Sequence, residues 1–223
     1  MTALLRLPGD GKRERNKAQN RADILTAARQ VFSELGYGAA SIRDIIRRTR
    51  LAAGTFYNYF PDKESIFRTL IEDSARQLRT RVRGARDRAT SLEEFVGGAY
   101  RAYFAFVADD RMAFEMLRRN DGAMRALLQE PTLMASVDEL REDLDAAVAR
   151  GDLPPVDLDY LAGAMSGVAF EVAVRMVDRQ PVDVDGATDF ATRLFLGGIA
   201  RLKDSVPPTR TARRPAQTRR PRR

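Results

Sequence analysis

The residues best equipped for chemistry lie between Ser41 and Phe60, in the run SIRDIIRRTRLAAGTFYNYF. Two short helical patterns flank a tight turn. The second ends in hydroxyl, amide and aromatic groups: Thr55, Tyr57, Asn58 and Tyr59, with Arg43, Arg47, Arg48 and Arg50 just before them. A basic helix-turn-helix pattern with such a tip is suited to gripping phosphates and reading a nucleic-acid groove. The usual catalytic groupings are missing. The 223 residues contain neither His nor Cys, which excludes Ser-His-Asp and Cys-His arrangements, disulfides, and zinc or iron held by those side chains. The sequence has no EF-hand-like loop and no phosphate-cradling glycine loop. Neither an enzyme nor a metal or cofactor is expected.

The elements that position this tip can be read from periodicity. Ile24, Leu25, Ala28, Val31, Phe32 and Leu35 fall at helical spacing, and Gly36 follows as a stop. Ser41 opens a second helix with Asp44 as capping partner, and Ile42, Ile45 and Ile46 form its buried stripe. The chain turns near Thr49–Leu51, and a third helix is predicted from Ala53 to Tyr59, with Phe56 and Phe60 turned inward. Asp62 caps a fourth helix, Lys63 to about Ala89. A cation at Lys63 is disfavoured by that helix's dipole, and a bound phosphate would reverse the sign. On the fourth helix Ile66, Leu70, Ile71, Leu78 and Val82 mark one face, and arginines including Arg79, Arg83 and Arg86 cover much of the rest. Further helices are predicted over residues 91–107, 110–119, 122–129, 133–150, 157–178 and 187–204. Alternating strand patterns and internal repeats are missing, so the fold class is all-α with nine to ten helices.

Charge divides the same chain. Residues 12–63 carry 11 Lys/Arg against 5 Asp/Glu, residues 64–206 carry 19 against 25, and residues 207–223 carry 7 Arg and no acid. The basic head suits a polyanion, where phosphate neutralisation supplies much of the affinity. The acidic body does not suit lying along one. Residues 1–15 read as a disordered basic arm, 16–62 as the helix-turn-helix domain, 63–206 as a helical body and 207–223 as a disordered Arg-rich tail able to add salt-sensitive affinity. No apolar run approaches the roughly 18 residues of a membrane span, and no secretory signal is recognisable, so a cytoplasmic protein without a membrane partner is expected.

The body carries two candidate surfaces. Tyr100, Tyr103, Phe104, Phe114, Met116, Met124, Met134, Met165, Phe170 and Met176 are candidate lining of a ligand cavity, since methionine repacks easily around a guest. Core packing is the competing reading for each. Arg101, Arg118 and Arg175 are candidates to meet a ligand's charge. Gly163 and Gly167 lie four apart, and Gly197 and Gly198 give the last helix the same smallness, so a second helix can approach both closely. A two-fold homodimer bundle is the expectation, internal packing the alternative.

The first 65 or so residues resemble the DNA-binding domain of the TetR family of transcriptional regulators. The likeness rests on Phe32 followed by Gly36-Tyr37, on Gly54-Thr55-Phe56-Tyr57-Asn58-Tyr59-Phe60, and on Lys63-Glu64 at the opening of the fourth helix. It implies that the third helix enters the major groove of double-stranded DNA. Ala53, Gly54, Thr55 and Asn58 would lie near base edges, and Tyr57 and Tyr59 near the backbone. Lys63 would meet a phosphate, and Ser41 and Arg43 would approach from the second helix. Three departures from the family pattern stand out: Ala40 replaces a frequent Thr, Thr49-Arg50 replace Ala-Gly, and Ala52 replaces a frequent Ser. If the turn still required a left-handed residue, Arg50 would cost about 1–2 kcal/mol there, and a phosphate contact by Arg50 would recover some of it.

The body resembles, more loosely, TetR-type regulators of fatty-acid desaturation and lipid synthesis, through FAFVADDRMAFEMLRRN and GVAFEVAVRM. Together these likenesses imply a ligand-responsive repressor. It would act as a homodimer on a palindromic operator and take a small, largely apolar effector, with fatty acyl species as one class. A nonspecific architectural DNA-binding protein and, more distantly, a helical small-molecule enzyme are the alternatives.

Overall fold

The computed structural model describes residues 10–119 and 131–202. These residues form nine α-helices: α1 (Asp10–Ala39), α2 (Ile42–Arg48), α3 (Ala53–Tyr57), α4 (Lys63–Arg86), α5 (Leu92–Asp109), α6 (Arg111–Arg119), α7 (Pro131–Arg150), α8 (Leu158–Val177) and α9 (Val184–Leu202). The described residues contain no strand, and the fold class is all-α. The helix expected over 122–129, most of the N-terminal arm and the Arg-rich tail lie outside the described residues.

α1 begins at Asp10 rather than Asn16. Lys12, Arg13, Glu14 and Arg15 are good helix formers, so the first turns extend into what reads as an arm. Gly36 breaks α1 as expected, with φ 78 and ψ 156, a conformation that costs glycine little. α2 carries a complete capping box: the Asp44 N–H donates to Ser41 Oγ (3.3 Å) and the Ser41 N–H donates to Asp44 Oδ2 (3.0 Å). α4 is capped by Asp62 Oδ1, which accepts from the Ser65 N–H at 2.7 Å.

The head is held by rings. Phe32, Phe56 and Phe67 are fully buried with Ile24, Val31, Ile45, Ile66 and Leu70. Phe32 and Phe67 meet edge to face at 5.4 Å, and Tyr37 lies 4.8 Å from Phe67. This core runs past residue 62, because Ile66, Phe67, Leu70 and Ile71 of α4 belong to it. It also recruits Met116 of α6, fully buried there. Arg29 of α1 forms an ion pair with Asp110, whose Oδ1 caps α6 by accepting from the Ala113 N–H at 3.0 Å. Two helices, α4 and α6, therefore join head and body.

In the body α5 packs against α4 and α9, and α7 lies on α8. Val96, Tyr100, Phe104, Leu144, Met165, Ala169 and Ala173 are among its buried residues. By length and composition alone, α8 is long and apolar enough to cross a membrane. Its sequence reads as less apolar because Asp159, Glu171 and Arg175 punctuate it. Its Leu161, Met165, Ala169 and Ala173 side chains are spent on the body core.

Candidate nucleic-acid interface and body cavity

The α2–α3 tip is built by a turn that needs no glycine. The Thr49 N–H donates to Ile46 O at 2.9 Å, the Thr49 hydroxyl donates to the same carbonyl at 2.9 Å, and Thr49 Oγ1 accepts from the Leu51 N–H at 3.3 Å. A threonine hydroxyl thus closes the turn. Among the described residues only glycines take positive φ, so Arg50 bears no left-handed strain, and the penalty considered above does not arise. At Ala52, where the family often has Ser, α3 has no side-chain cap.

Ser41, Arg43, Arg50, Ala53, Gly54, Tyr57 and Asn58 are exposed, while Thr55 and Tyr59 are half-buried. Tyr57 is 53% exposed, a large ring held at the surface with Phe56 packed beneath it at 5.7 Å. Tyr59 Oη accepts a hydrogen bond from Asn20 Nδ2 at 3.0 Å, which ties the end of α3 to α1. Arg48 is spent on a two-pronged pair with Glu34 of α1, at 3.0 and 2.5 Å. Arg43 and Arg50 form no ion pair with any described residue, which leaves both guanidiniums available on the tip.

Lys63 has partners within the chain. Its ammonium donates to Tyr37 O (2.8 Å), Ala40 O (3.1 Å) and Gly38 O (3.3 Å) and lies 4.6 Å from the Tyr37 ring centroid. The cation disfavoured at the start of α4 is satisfied by the carbonyl end of α1. A phosphate contact by Lys63 would require it to release one of these carbonyls.

The candidate lining residues disperse. Tyr100, Tyr103 and Met165 line one cavity of about 240 Å³ between α4, α5, α7 and α8, with Leu78, Val82, Ala99, Val137 and Leu140. The Tyr100 hydroxyl donates to Met165 O at 3.2 Å, and burial pushes both tyrosine hydroxyls well above their ordinary range, so they stay neutral. Phe104 stacks behind Tyr100 at 5.8 Å. Phe114 meets Phe170 at 5.7 Å, and Phe170 is partly exposed. Met176 borders a separate surface groove with Glu171, Arg175 and Phe190. Met116 is not in the body at all but in the head core. Met124 lies outside the described residues, and Met134 lies in α7 with its side chain undescribed.

Sequence reasoning missed the charged rim of this cavity. Three α4 guanidiniums converge on Glu139 of α7: Arg79 is hydrogen-bonded to it, Arg83 lies at 3.5 Å and Arg86 at 3.8 Å. Arg86 also lies 3.1 Å from Asp143. The Arg79 hydrogen bond holds the Glu139 carboxyl below its ordinary range. The available signal was the spacing of Arg79, Arg83 and Arg86, which places them on one stripe of α4 beside Val82. The arginines named as charge partners sit elsewhere: Arg101 pairs with Asp185 at 2.7 Å and Arg118 with Glu115 at 2.9 Å.

On the far side of the body, a side chain added at Gly163, Gly167, Gly197 or Gly198 would meet nothing within 4 Å. Tyr160, Phe190 and Leu194 are exposed on the same two helices, Tyr160 at 80%. A groove of about 510 Å³ between them is lined by Tyr160, Leu161, Ala164, Leu194, Phe195 and Leu202.

Comparison with known proteins adds four findings. Residues 24–70 match the bacterial regulatory proteins, tetR family. The HTH-type transcriptional activator FasR of Mycolicibacterium smegmatis is 26% identical over 206 residues, which cover 87% of this chain and 91% of that protein. The fatty acid degradation regulator FadR of Bacillus halodurans superposes with TM-score 0.71 and 25% identity, covering 81% of this chain and 96% of the other. The transcriptional regulator FadR of Bacillus subtilis, solved in complex with stearoyl-CoA, shares the fold with TM-score 0.65 and 19% identity over 80% of this chain and 98% of its own.

Proposed function

For this chain, a TetR-family transcriptional regulator with an N-terminal helix-turn-helix domain, we propose the following mode of action. Two copies join through α8 and α9, each presents α3 to a major groove of a palindromic operator, and an apolar effector in the body sets DNA affinity. The observation that carries this reading is the exposed tip. Tyr57, Gly54 and Asn58 stand at the surface beside Arg43 and Arg50, two guanidiniums without an ion-pair partner among the described residues. Ala53 and Thr55 would lie near base edges with Gly54 and Asn58. Tyr59 would stay near the backbone, and Ser41 would approach from its capping box.

The dimer reading is supported by Gly163, Gly167, Gly197 and Gly198, which open onto space beside exposed Tyr160 and Leu194. An apolar face of this kind marks an interaction surface. Two heads then meet half-sites spaced by multiples of about 34–36 Å. The effector reading is supported by the cavity at Tyr100, Tyr103 and Met165, and by relatives named for fatty-acid regulation, one of them solved with stearoyl-CoA. An effector acts only through a difference in affinity between conformers with different head spacing. α4 and α6 are the elements able to transmit it. Repression is the sign expected from the sequence, whereas the Mycolicibacterium relative is named an activator. Deleting the gene raises reporter transcription in the first case and lowers it in the second.

The test is a gel-shift titration of the full chain on its own upstream DNA against scrambled DNA at fixed salt. Specific binding by a regulator exceeds nonspecific binding by about 10³-fold or more. Tyr57→Ala is expected to weaken specific binding by roughly tenfold or more without lowering the melting temperature, because the ring supports no core. Gly167→Arg is expected to give monomers by sedimentation and lose operator binding. Equal affinity for scrambled DNA would favour the architectural reading instead.

A further inference from the structure

The cavity between α4, α5, α7 and α8 has an anion already seated at its rim. Most of its wall is aliphatic or aromatic: Leu78, Val82, Tyr103, Leu140 and Met165. One side holds Arg79, Arg86 and Glu139. Glu139 belongs to α7, and the three guanidiniums that converge on it belong to α4. The Arg86 side chain is only 5% exposed. Its Nε and Glu139 Oε2 are buried without a hydrogen bond, despite the nearby ion-pair partners. Arg86 also lies against the Phe95 ring at 6.0 Å. Arg83 also lies 3.8 Å from Asp87, so three cations face three carboxylates beside apolar surface, and Glu139 is shared among all three. Buried charge in such surroundings demands a well-aligned partner, and here the alignment is incomplete.

We propose that this cluster is the head-group subsite of the effector cavity. It takes an anionic group carried on an aliphatic chain, and Glu139 is the internal competitor for that position. The proposal rests on the reading that the effector occupies this cavity. The incoming anion replaces Glu139 on Arg79 and Arg86, and the Glu139 carboxylate swings outward to solvent. One anion replaces another, so the guanidiniums are never left unpaired. The chain of the ligand lies along Val82, Tyr103, Leu140 and Met165. At about 240 Å³ the cavity is smaller than the roughly 300–1,000 Å³ of ligand pockets, so a wall must give on binding. The α4–α7 contact is the wall held by an exchangeable ion pair. α4 carries Ile66, Phe67 and Leu70 in the head core, so freeing its C-terminal half from α7 reaches the DNA-binding tip.

The test uses the full chain with three probes of one chain length: dodecanoate, dodecanoyl-CoA and dodecanol. Affinities are read by isothermal titration. At least one anionic probe is expected to bind roughly tenfold or more tightly than dodecanol, the scale of a charge-assisted contact. Glu139→Gln is expected to raise that ratio several-fold by removing the competitor, and Arg79→Gln to lower it toward unity. The two variants move the ratio in opposite directions, so a general loss of structure in either cannot imitate the result. Circular dichroism melts verify folding. The anionic probe whose preference responds to Glu139→Gln identifies the head group as carboxylate or coenzyme phosphate. Dodecanol binding as tightly as both anions, or a ratio indifferent to Glu139→Gln, overturns the head-group subsite while the cavity reading stands. No binding of any probe to the natural sequence overturns both.

Discussion

The head core and the body core are packed from different residues. The head buries Phe32, Phe56, Phe60 and Phe67 among isoleucines; Phe32 and Phe67 meet edge to face, and Tyr37 is tilted against both. The body fills much of its interior with Ala147, Ala162, Ala169, Ala173, Ala187 and Ala191, together with Met165 and Met176. Rings fix a small module in one arrangement, because close-packed aromatic surfaces tolerate little displacement. Small and adaptable side chains let helices come close in places and leave gaps in others. The consequence is a head suited to presenting a fixed surface and a body with a cavity, surface grooves and an open glycine face. Polar anchoring differs as well. Lys63 in the head is saturated by three backbone carbonyls, whereas Arg86 in the body has a buried Nε without a hydrogen bond.

The contrast is sharpest at Phe67. Phe67→Ala removes a fully buried ring from a tightly packed site and is expected to destabilise the protein by about 3–5 kcal/mol. Urea unfolding measures this, and a loss no larger than that for a body residue would erase the distinction. Met116→Ala tests where the boundary lies. Although α6 follows the body's helix α5, Met116 sits in the head core, so the substitution is expected to cost about 2–5 kcal/mol. Hydrogen exchange should speed up first in α1 and α4, and exchange confined to α7 and α8 would assign Met116 to the body after all. Met165→Ala enlarges a cavity that already exists and should fall near the lower end, about 2 kcal/mol. The smallest effect concerns Glu139. Its folded carboxyl is held below the ordinary value of 4.5 by Arg79, so the stabilisation it gives is present above that value and is lost as pH falls through the lowered one. The melting-temperature gap between the natural chain and Glu139→Gln should therefore narrow over the interval from neutral pH down to below 4.5. A gap constant across that interval would mean that the carboxylate contributes nothing.

Much of the head was legible because its signals are local. The capping box at Ser41 and Asp44, the stop at Gly36 and the cap at Asp62 each act within four residues, and all three occur where the pattern placed them. The start of α1 was misplaced, since a charged run of good helix formers looks the same as a solvated arm until it continues a helix. The turn at Thr49-Arg50 was legible as a turn but not as its type, because the hydroxyl of Thr49 does what glycine conformation does elsewhere. In the body, Met116 and Met165 look alike in sequence and end in different cores. Periodicity reports which face of a helix is apolar, not which neighbour covers it.

By itself, the amino-acid order determined the helical class, the basic head with its tyrosine tip, the exclusion of His- and Cys-based chemistry, and the small-residue steps in the last two helices. These follow from covalent preferences and from interactions within one or two turns. Only the tertiary structure decided that Lys63 caps α1, that Met116 crosses into the head, and that Arg79, Arg83 and Arg86 close on Glu139 beside a cavity. The physical reason is distance along the chain. Glu139 and Arg79 are 60 residues apart, and no local preference encodes a meeting that depends on how whole helices pack.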